Sequence, residues 1–291
     1  MVGQVFEIVA PVFILAMVGL GWARRGLPYD IAFVTRLGTG LAMPCLIFST
    51  LVRAEIGAEA FGQMIAATLL FYGLCAVLFA AALRLAGLPL RVFLPPTVMN
   101  NAGNLGLPVA FYAFGAEGLA LAIVLFAIMV ALQFSIGVSF VAGKGGAGEA
   151  VRQPMVWAAL LGVGAASLGL KPPGFLDNAV ALIGQMGIPL MILTLGVSIS
   201  RIRAASLARA ALIACLRYPA ALAVAFGVGQ ALALPDLAFA ILVLQAIMPA
   251  PVTNYLIAAK YEASPEEVAG LVVVSTALSV AFVPLTLAFL L

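Results

Sequence analysis

Residues 92–116 and 118–143 contain no Asp, Glu, Lys or Arg. A water-soluble fold has nowhere to put two such stretches in succession, because its helices keep a solvated polar stripe. Each is long enough to cross a hydrocarbon core, which takes roughly 20 apolar residues. The rest of the chain agrees: of 291 residues, 65% are hydrophobic and 9% charged, with a mean hydropathy of +1.23, against about 25% charged in a soluble domain. Charged, Gly or Pro punctuation separates apolar runs predicted as ten spans at 4–23, 30–51, 60–85, 92–112, 117–142, 152–169, 175–199, 206–232, 237–259 and 265–290. These spans are expected to use up the chain, leaving no soluble catalytic or sensory domain.

Composition narrows the chemistry further. With 0 His, histidine acid/base catalysis, His metal sites and a His relay are excluded. Cys45, Cys75 and Cys215 stand alone in apolar runs and read as small core side chains, so neither metal nor cofactor is expected. The net charge of +3 is scattered, which argues against nucleic acid. The opening MVGQVFEIVAPVF lacks a basic region ahead of its apolar stretch and reads as a first span, not a cleaved signal. Ser264, Pro265 and Glu267 form the pattern of an N-cap, a first-turn proline and a capping box, which gives Glu266 and Glu267 a structural role.

Loop charge orients the spans. Arg24, Arg25, Arg84, Arg91, Lys144, Arg152, Arg201, Arg203, Arg209 and Lys260 follow odd-numbered runs, while only Arg53 and Lys171 lie on the other side. The positive-inside rule then makes the odd loops cytoplasmic and places both termini outside an inner (plasma) membrane.

The halves also repeat. Pro11, Gly19, Gly21 and Gly26 recur 143 residues on as Pro154, Gly162, Gly164 and Gly169. Pro44 matches Pro189 at an offset of 145, Tyr72 matches Tyr218 at 146, and Pro108-Val109 matches Pro251-Val252 at 143. An odd number of spans per copy forces the second copy to enter the membrane inverted, the plan of secondary transporters. The expected architecture is an all-α polytopic membrane protein of ten transmembrane helices. It has a first five-helix repeat at 1–142, a short Gly-rich cytoplasmic linker at 143–151 and an inverted five-helix repeat at 152–291.

Spans four and nine carry the strongest local signal. FLPPTVMNNAGNLGLPVAFYAFG places Asn100, Asn101, Gly103, Asn104, Gly106 and Pro108 inside one span. An unbroken helix in lipid would not tolerate that cluster, which combines poor helix formers, a lost donor and amides needing partners. From Arg91 to Asn101 is 10 residues, about 15 Å at 1.5 Å each, half of a roughly 30 Å core. Span nine gathers Gln245, Pro249, Pro251, Thr253 and Asn254 at similar depth. Pro108 and Pro251 are therefore predicted to open the second halves of two discontinuous helices. Inversion should make the breaks cross, so that half-helix N-termini face a shared cavity able to hold an anion.

At these residues the chain resembles the auxin efflux carrier family, which includes plant PIN-type carriers and bacterial permeases of the malonate-transporter type. The resemblance rests on the Asn/Gly-rich stretch ending Gly106-Leu107-Pro108, and on Gln245-Ala246-Ile247-Met248-Pro249 followed by Ala258-Ala259-Lys260-Tyr261. It implies a crossover fold with scaffold and transport subdomains and elevator-like alternating access. It also implies that Asn101, seven residues before the span-four proline, belongs to the substrate site. Plant members have a Ser three residues after the span-two proline, where this chain has Ile47, and a long central loop, where it has the short linker. A bacterial-type carrier of small carboxylates fits these departures better than an auxin carrier.

On these boundaries all 11 acidic residues fall at or near helix ends, so no carboxylate relay is visible. Membrane potential alone, at about 2.3 kcal/mol per charge per 100 mV, would drive anions out of a negative interior. Arg217, deep in span eight, is read either as a countercharge or gating residue that pairs with a carbonyl, or as a snorkelling side chain. Arg36 is expected to snorkel, and Gln133 to bond a neighbouring helix. Pro44 and Pro189 are predicted kinks that line the cavity or let helices slide. The expected function is thus non-enzymatic: a secondary transporter of small organic anions, chiefly for efflux. A sodium-coupled symporter of the bile-acid type and a passive anion channel are the alternatives. The expected partners are the anion and the bilayer, with a homodimer admitted.

Overall fold

The computed structural model describes residues 2–54, 57–143, 150–201 and 206–291, which form helices with no strand among them. Residues 144–149, most of the expected linker, together with Glu55 and Arg203, lie outside the described residues.

Helix α1 (Val2–Arg24) is followed by α2 (Ile31–Arg53), which starts where the Asp30 carboxylate accepts the Phe33 N–H at 3.0 Å. A π turn at Gly38–Ala42 widens α2 just before Pro44. Next come α3 (Ala58–Leu85) and α4 (Leu90–Val98). Extended residues follow, and a π turn at Ala102–Gly106 then leads into α5 (Leu107–Leu132). α5 bends at Gly115, whose φ of 65° and ψ of −156° only glycine adopts without strain, and it continues through a third π turn, Gln133–Gly137, to Ala142. The second half contains α6 (Pro154–Ser167), α7 (Gly174–Gly184), α8 (Gly187–Arg201), α9 (Leu207–Ala231), α10 (Asp236–Ala246), α11 (Val252–Lys260) and α12 (Pro265–Leu290).

Among the described residues seven helical segments, rather than ten, are long and apolar enough to span a membrane. The difference arises at the breaks. Leu90–Ala142 runs two predicted spans together, while α6 and α10 have 14 and 11 residues and are too short to cross alone. Span seven has turn residues at Gln185 and Met186 but still counts as one spanning segment, Gly174–Ser200.

Two helix crossings set the frame. α1 lies on α8, with Gly19 against the Leu193 carbonyl and Gly196 against the Ala16 carbonyl, too close for a Cβ at either. α6 lies on α2, with Gly162 against Leu51 and Phe48. The sequence-matched Gly19 and Gly162 thus serve corresponding crossings. Gly196→Ala is expected to cost about 1–3 kcal/mol by forcing the helices apart and to lower the Tm of the purified protein. Gly73→Ala in α3, where a Cβ meets nothing within 4 Å, is expected to leave it unchanged or higher.

Three local expectations are corrected. Ser264 takes a left-handed conformation (φ 47°) and makes no side-chain cap, so the capping box does not form, although Pro265 does open α12. Glu267 Oε1 instead accepts hydrogen bonds from Ser206 Oγ and Arg209 Nη1, both at 3.0 Å. This pair is half exposed and worth at most about 1 kcal/mol, so Glu267→Gln is expected to shift Tm slightly and to leave the transport KM unchanged. Of the cysteines only Cys75 is buried; Cys45 is half-buried, and Cys215 is exposed because α9 turns that face outward. Finally, the second half of span four begins at Ala102, ahead of Pro108, because the π turn absorbs the glycines.

Candidate functional site

The two interrupted segments meet at their breaks. The Asn101 N–H donates to the Pro249 carbonyl at 2.7 Å, and Asn100 Nδ2 donates to the Gln245 carbonyl at 2.5 Å. Each break lacks helical partners for its own backbone, so each supplies the other's; irregular backbone at membrane depth survives only when satisfied in this way. Asn100 is held from behind by the Tyr72 hydroxyl, which donates to its Oδ1 at 2.7 Å. Asn101 Oδ1 accepts the Asn104 N–H at 3.2 Å and so caps the first turn of the second half-helix. Gly106 packs so closely on the Gln245 side chain that no Cβ would fit. Pro251 ends the other break at the N-cap of α11, and no side chain caps that helix.

A cavity of about 320 Å³ opens beside the crossing. Its deep wall comprises Asn100, Asn101, Gly103, Asn104, Pro251 and Thr253. Asn254, on the adjacent face of α11, accepts a hydrogen bond from Gln133 Nε2 at 2.8 Å and donates to the Pro95 carbonyl at 3.4 Å. Gly106, Pro108, Gln245 and Pro249 are all buried behind the wall and support the crossing without lining the cavity.

Several lining groups escaped the sequence reading. Thr35, Thr39 and Met43 present one face of α2, Met191 comes from α8, and Gln133 lines the cavity as well as bonding Asn254. The i, i+4 threonines were the available signal. Lys260, counted only as a loop charge, sits on the lining with its Nζ 5.1 Å from the Tyr261 ring centroid. Among the described residues it is the only charged one on this wall, and no carboxylate lines it.

Five buried side-chain polar atoms lack a partner among the described residues: Asn101 Nδ2, Gln133 Oε1, Arg217 Nη1 and both polar atoms of the Gln245 amide. All lie at the crossing or one hydrogen bond from it. An unpaired buried polar group costs about 1–3 kcal/mol, so their gathering marks a place where a water or a ligand is needed.

Arg217 does not snorkel. It is 2% exposed, and its Nε donates to the Thr97 carbonyl at 2.8 Å, in the last turn of α4. The cation thus sits on the negative end of a half-helix dipole.

A second cavity, of about 420 Å³, opens at the opposite end of α2. Leu46, Ser49, Arg53, Tyr112, Gln185 and Pro189 are among the residues lining it, and Arg53 is paired there with Asp177 at 2.9 Å. Pro189 lines this cavity, whereas Pro44 lies on α2 between Met43 of the first cavity and Leu46 of the second.

Residues 147–287 match the family model described as membrane transport protein. An uncharacterized transporter of Methanothermobacter thermautotrophicus is 29% identical over 286 residues, an alignment covering 94% of each chain.

Proposed function

We propose that this chain, whose residues 147–287 match the membrane transport protein family model, belongs with the auxin efflux carriers it resembles and moves small organic anions such as carboxylates by alternating access, chiefly outward. It is a transporter and an integral multi-pass membrane protein. The observation that carries the anion reading is the set of buried polar atoms at the crossed breaks that lack partners among the described residues, beside a cavity whose only charged lining residue among them is Lys260. The unused Nδ2 donor of Asn101 and the uncapped N-terminus of α11 belong to residues beside that cavity, and in this reading they turn to a carboxylate bound there.

In this reading the chain has ten spans in two inverted fives, both termini outside, and the linker and the Lys260 end of the first cavity face the cytoplasm. The matched crossings of Gly19 and Gly162, and the pairing of Asn100 with Gln245 at corresponding positions 145 residues apart, support the repeat. Two cavities at opposite ends of α2, parted by about one turn between Met43 and Leu46, support alternating access. Substrate would leave its amide site toward the second cavity as the crossed half-helices slide past Pro44 of α2 and Pro189 of α8.

A thermal-shift series with mono- and dicarboxylates, with and without Na⁺, on the detergent-purified protein tests the reading. Saturable stabilisation by carboxylates without Na⁺ is the expected result, with counterflow in proteoliposomes. Stabilisation that requires Na⁺ would favour a sodium-coupled symporter. Non-saturating flux without counterflow would leave a passive channel.

A further inference from the structure

We propose that the long groove between α1 and α12 holds an acyl chain of an anionic phospholipid whose phosphate rests against Arg24 and Arg25. The groove encloses about 930 Å³ and shares no lining residue with the first cavity; one wall runs from Val5 of α1 to Arg25 just past its end, and the facing wall includes Val280 and Pro284 of α12. Its lining is apolar up to one end, where Trp22 and Arg25 stand. The Trp22 indole N–H donates to the Pro28 carbonyl at 3.1 Å, fixing the ring where interfacial tryptophans sit.

Charge selects the occupant, and the groove has length enough for its tail. Val5 to Arg25 is 20 residues, about 30 Å of helix and so the full depth of a roughly 30 Å hydrocarbon core, twice the reach of one leaflet's acyl chain. An amphiphile with its head at Arg25 would lay its tail along the nearer half of the groove, as far as the bilayer centre. Arg24 and Arg25 are exposed, and neither is in an ion pair among the described residues. Juxtamembrane cations of this kind attract anionic headgroups. A second copy of the chain fits less well: two-fold pairing of α1 with α1 about an axis normal to the membrane brings both arginine pairs to the same side, like charge against like.

Native mass spectrometry of the delipidated full chain, titrated with dioleoyl phosphatidylglycerol or dioleoyl phosphatidylcholine, tests this without any transport substrate. One phosphatidylglycerol per chain should be retained more tightly than phosphatidylcholine. Arg24→Gln and Arg25→Gln should each weaken phosphatidylglycerol about fivefold, and the double variant should bind both lipids alike. Gly21 lines the groove, and a Cβ there meets nothing within 4 Å. Gly21→Phe should therefore exclude both lipids without lowering the Tm of the delipidated protein. Equal binding of the two lipids that ignores these substitutions would overturn the proposal. So would a dimer that Gly21→Phe splits into monomers.

Discussion

Asn101→Asp is expected to abolish anion transport while leaving a folded protein in the membrane. The substitution isolates one atom. Asn101, which lines the cavity, uses Oδ1 to accept the Asn104 N–H and its backbone N–H to reach the Pro249 carbonyl, so Nδ2 is left buried and without a partner among the described residues. Aspartate keeps the cap, since its carboxylate accepts the same N–H, and it keeps the backbone bond to the other break. What changes is that an N–H donor becomes an anionic oxygen, so attraction for a carboxylate turns into repulsion. A hydrogen bond to a charged group contributes about 1.5–3 kcal/mol, equivalent to at least about tenfold in affinity, and the repulsion adds to that loss. Asn101→Ala should also lose transport but in addition costs about 1 kcal/mol for the missing cap, so the two variants should differ in Tm and agree in flux. Counterflow in proteoliposomes and a thermal melt, run on the same preparations, check both halves. Wild-type saturation kinetics in the aspartate variant would remove Asn101 from the substrate site.

Asn101 also shows how far a sequence can be read. Its depth and the break around it follow from local chemistry, because glycine, proline and consecutive asparagines disrupt a helix whatever surrounds them. That the break meets its counterpart through Pro249 and Gln245 was expected only from the inverted repeat, whose matched prolines lie in the text of the chain. Where the second half-helix begins was less legible. Pro108 looked like its first turn, but Ala102–Gly106 winds as a π turn, a choice that depends on packing such as Gly103 against Phe126 and Gly106 against Gln245. Thr35, Thr39, Gln133 and Lys260 reach the cavity from three different segments, and no local pattern announces such convergence. The Ser264 capping box failed for a similar reason: a residue at φ 47° turns its hydroxyl away from the N–H groups it was expected to bind, and Arg209 claims Glu267.

The electrostatics of the crossing come from both kinds of helix end. Each break exposes a negative C-terminal end, of α4 or α10, beside a positive N-terminal end, so that crossed half-helices alone would present a nearly balanced field. The negative ends are engaged from behind: Arg217 holds the Thr97 carbonyl near the end of α4, and Asn100 Nδ2 holds the Gln245 carbonyl near the end of α10. The α11 N-terminus carries no side-chain cap. The cavity side is thereby left positive without a cation at the crossing itself.

Arg217→Met follows from that arrangement, and its two expected effects run in opposite directions. Arg217 is fully buried, one of its N–H groups is without a partner, and both ion pairs among the described residues lie elsewhere. A cation at the centre of a membrane helix costs about 2.5–3.5 kcal/mol on insertion scales. Replacing it by an apolar side chain of similar length removes that cost and leaves the Thr97 carbonyl short of one donor, a penalty of about 1–3 kcal/mol. The variant should therefore melt at the wild-type temperature or above it. Transport should fall at least tenfold, because the unscreened end of α4 restores negative potential behind the anion site. Arg217→Lys should recover part of the flux, since an ammonium can reach the same carbonyl as a point charge without the guanidinium's planar fork. A flux assay beside a thermal melt separates this account from a purely structural one. If Arg217 only braces α9 against α4, methionine lowers Tm and flux together, and lysine restores both in proportion.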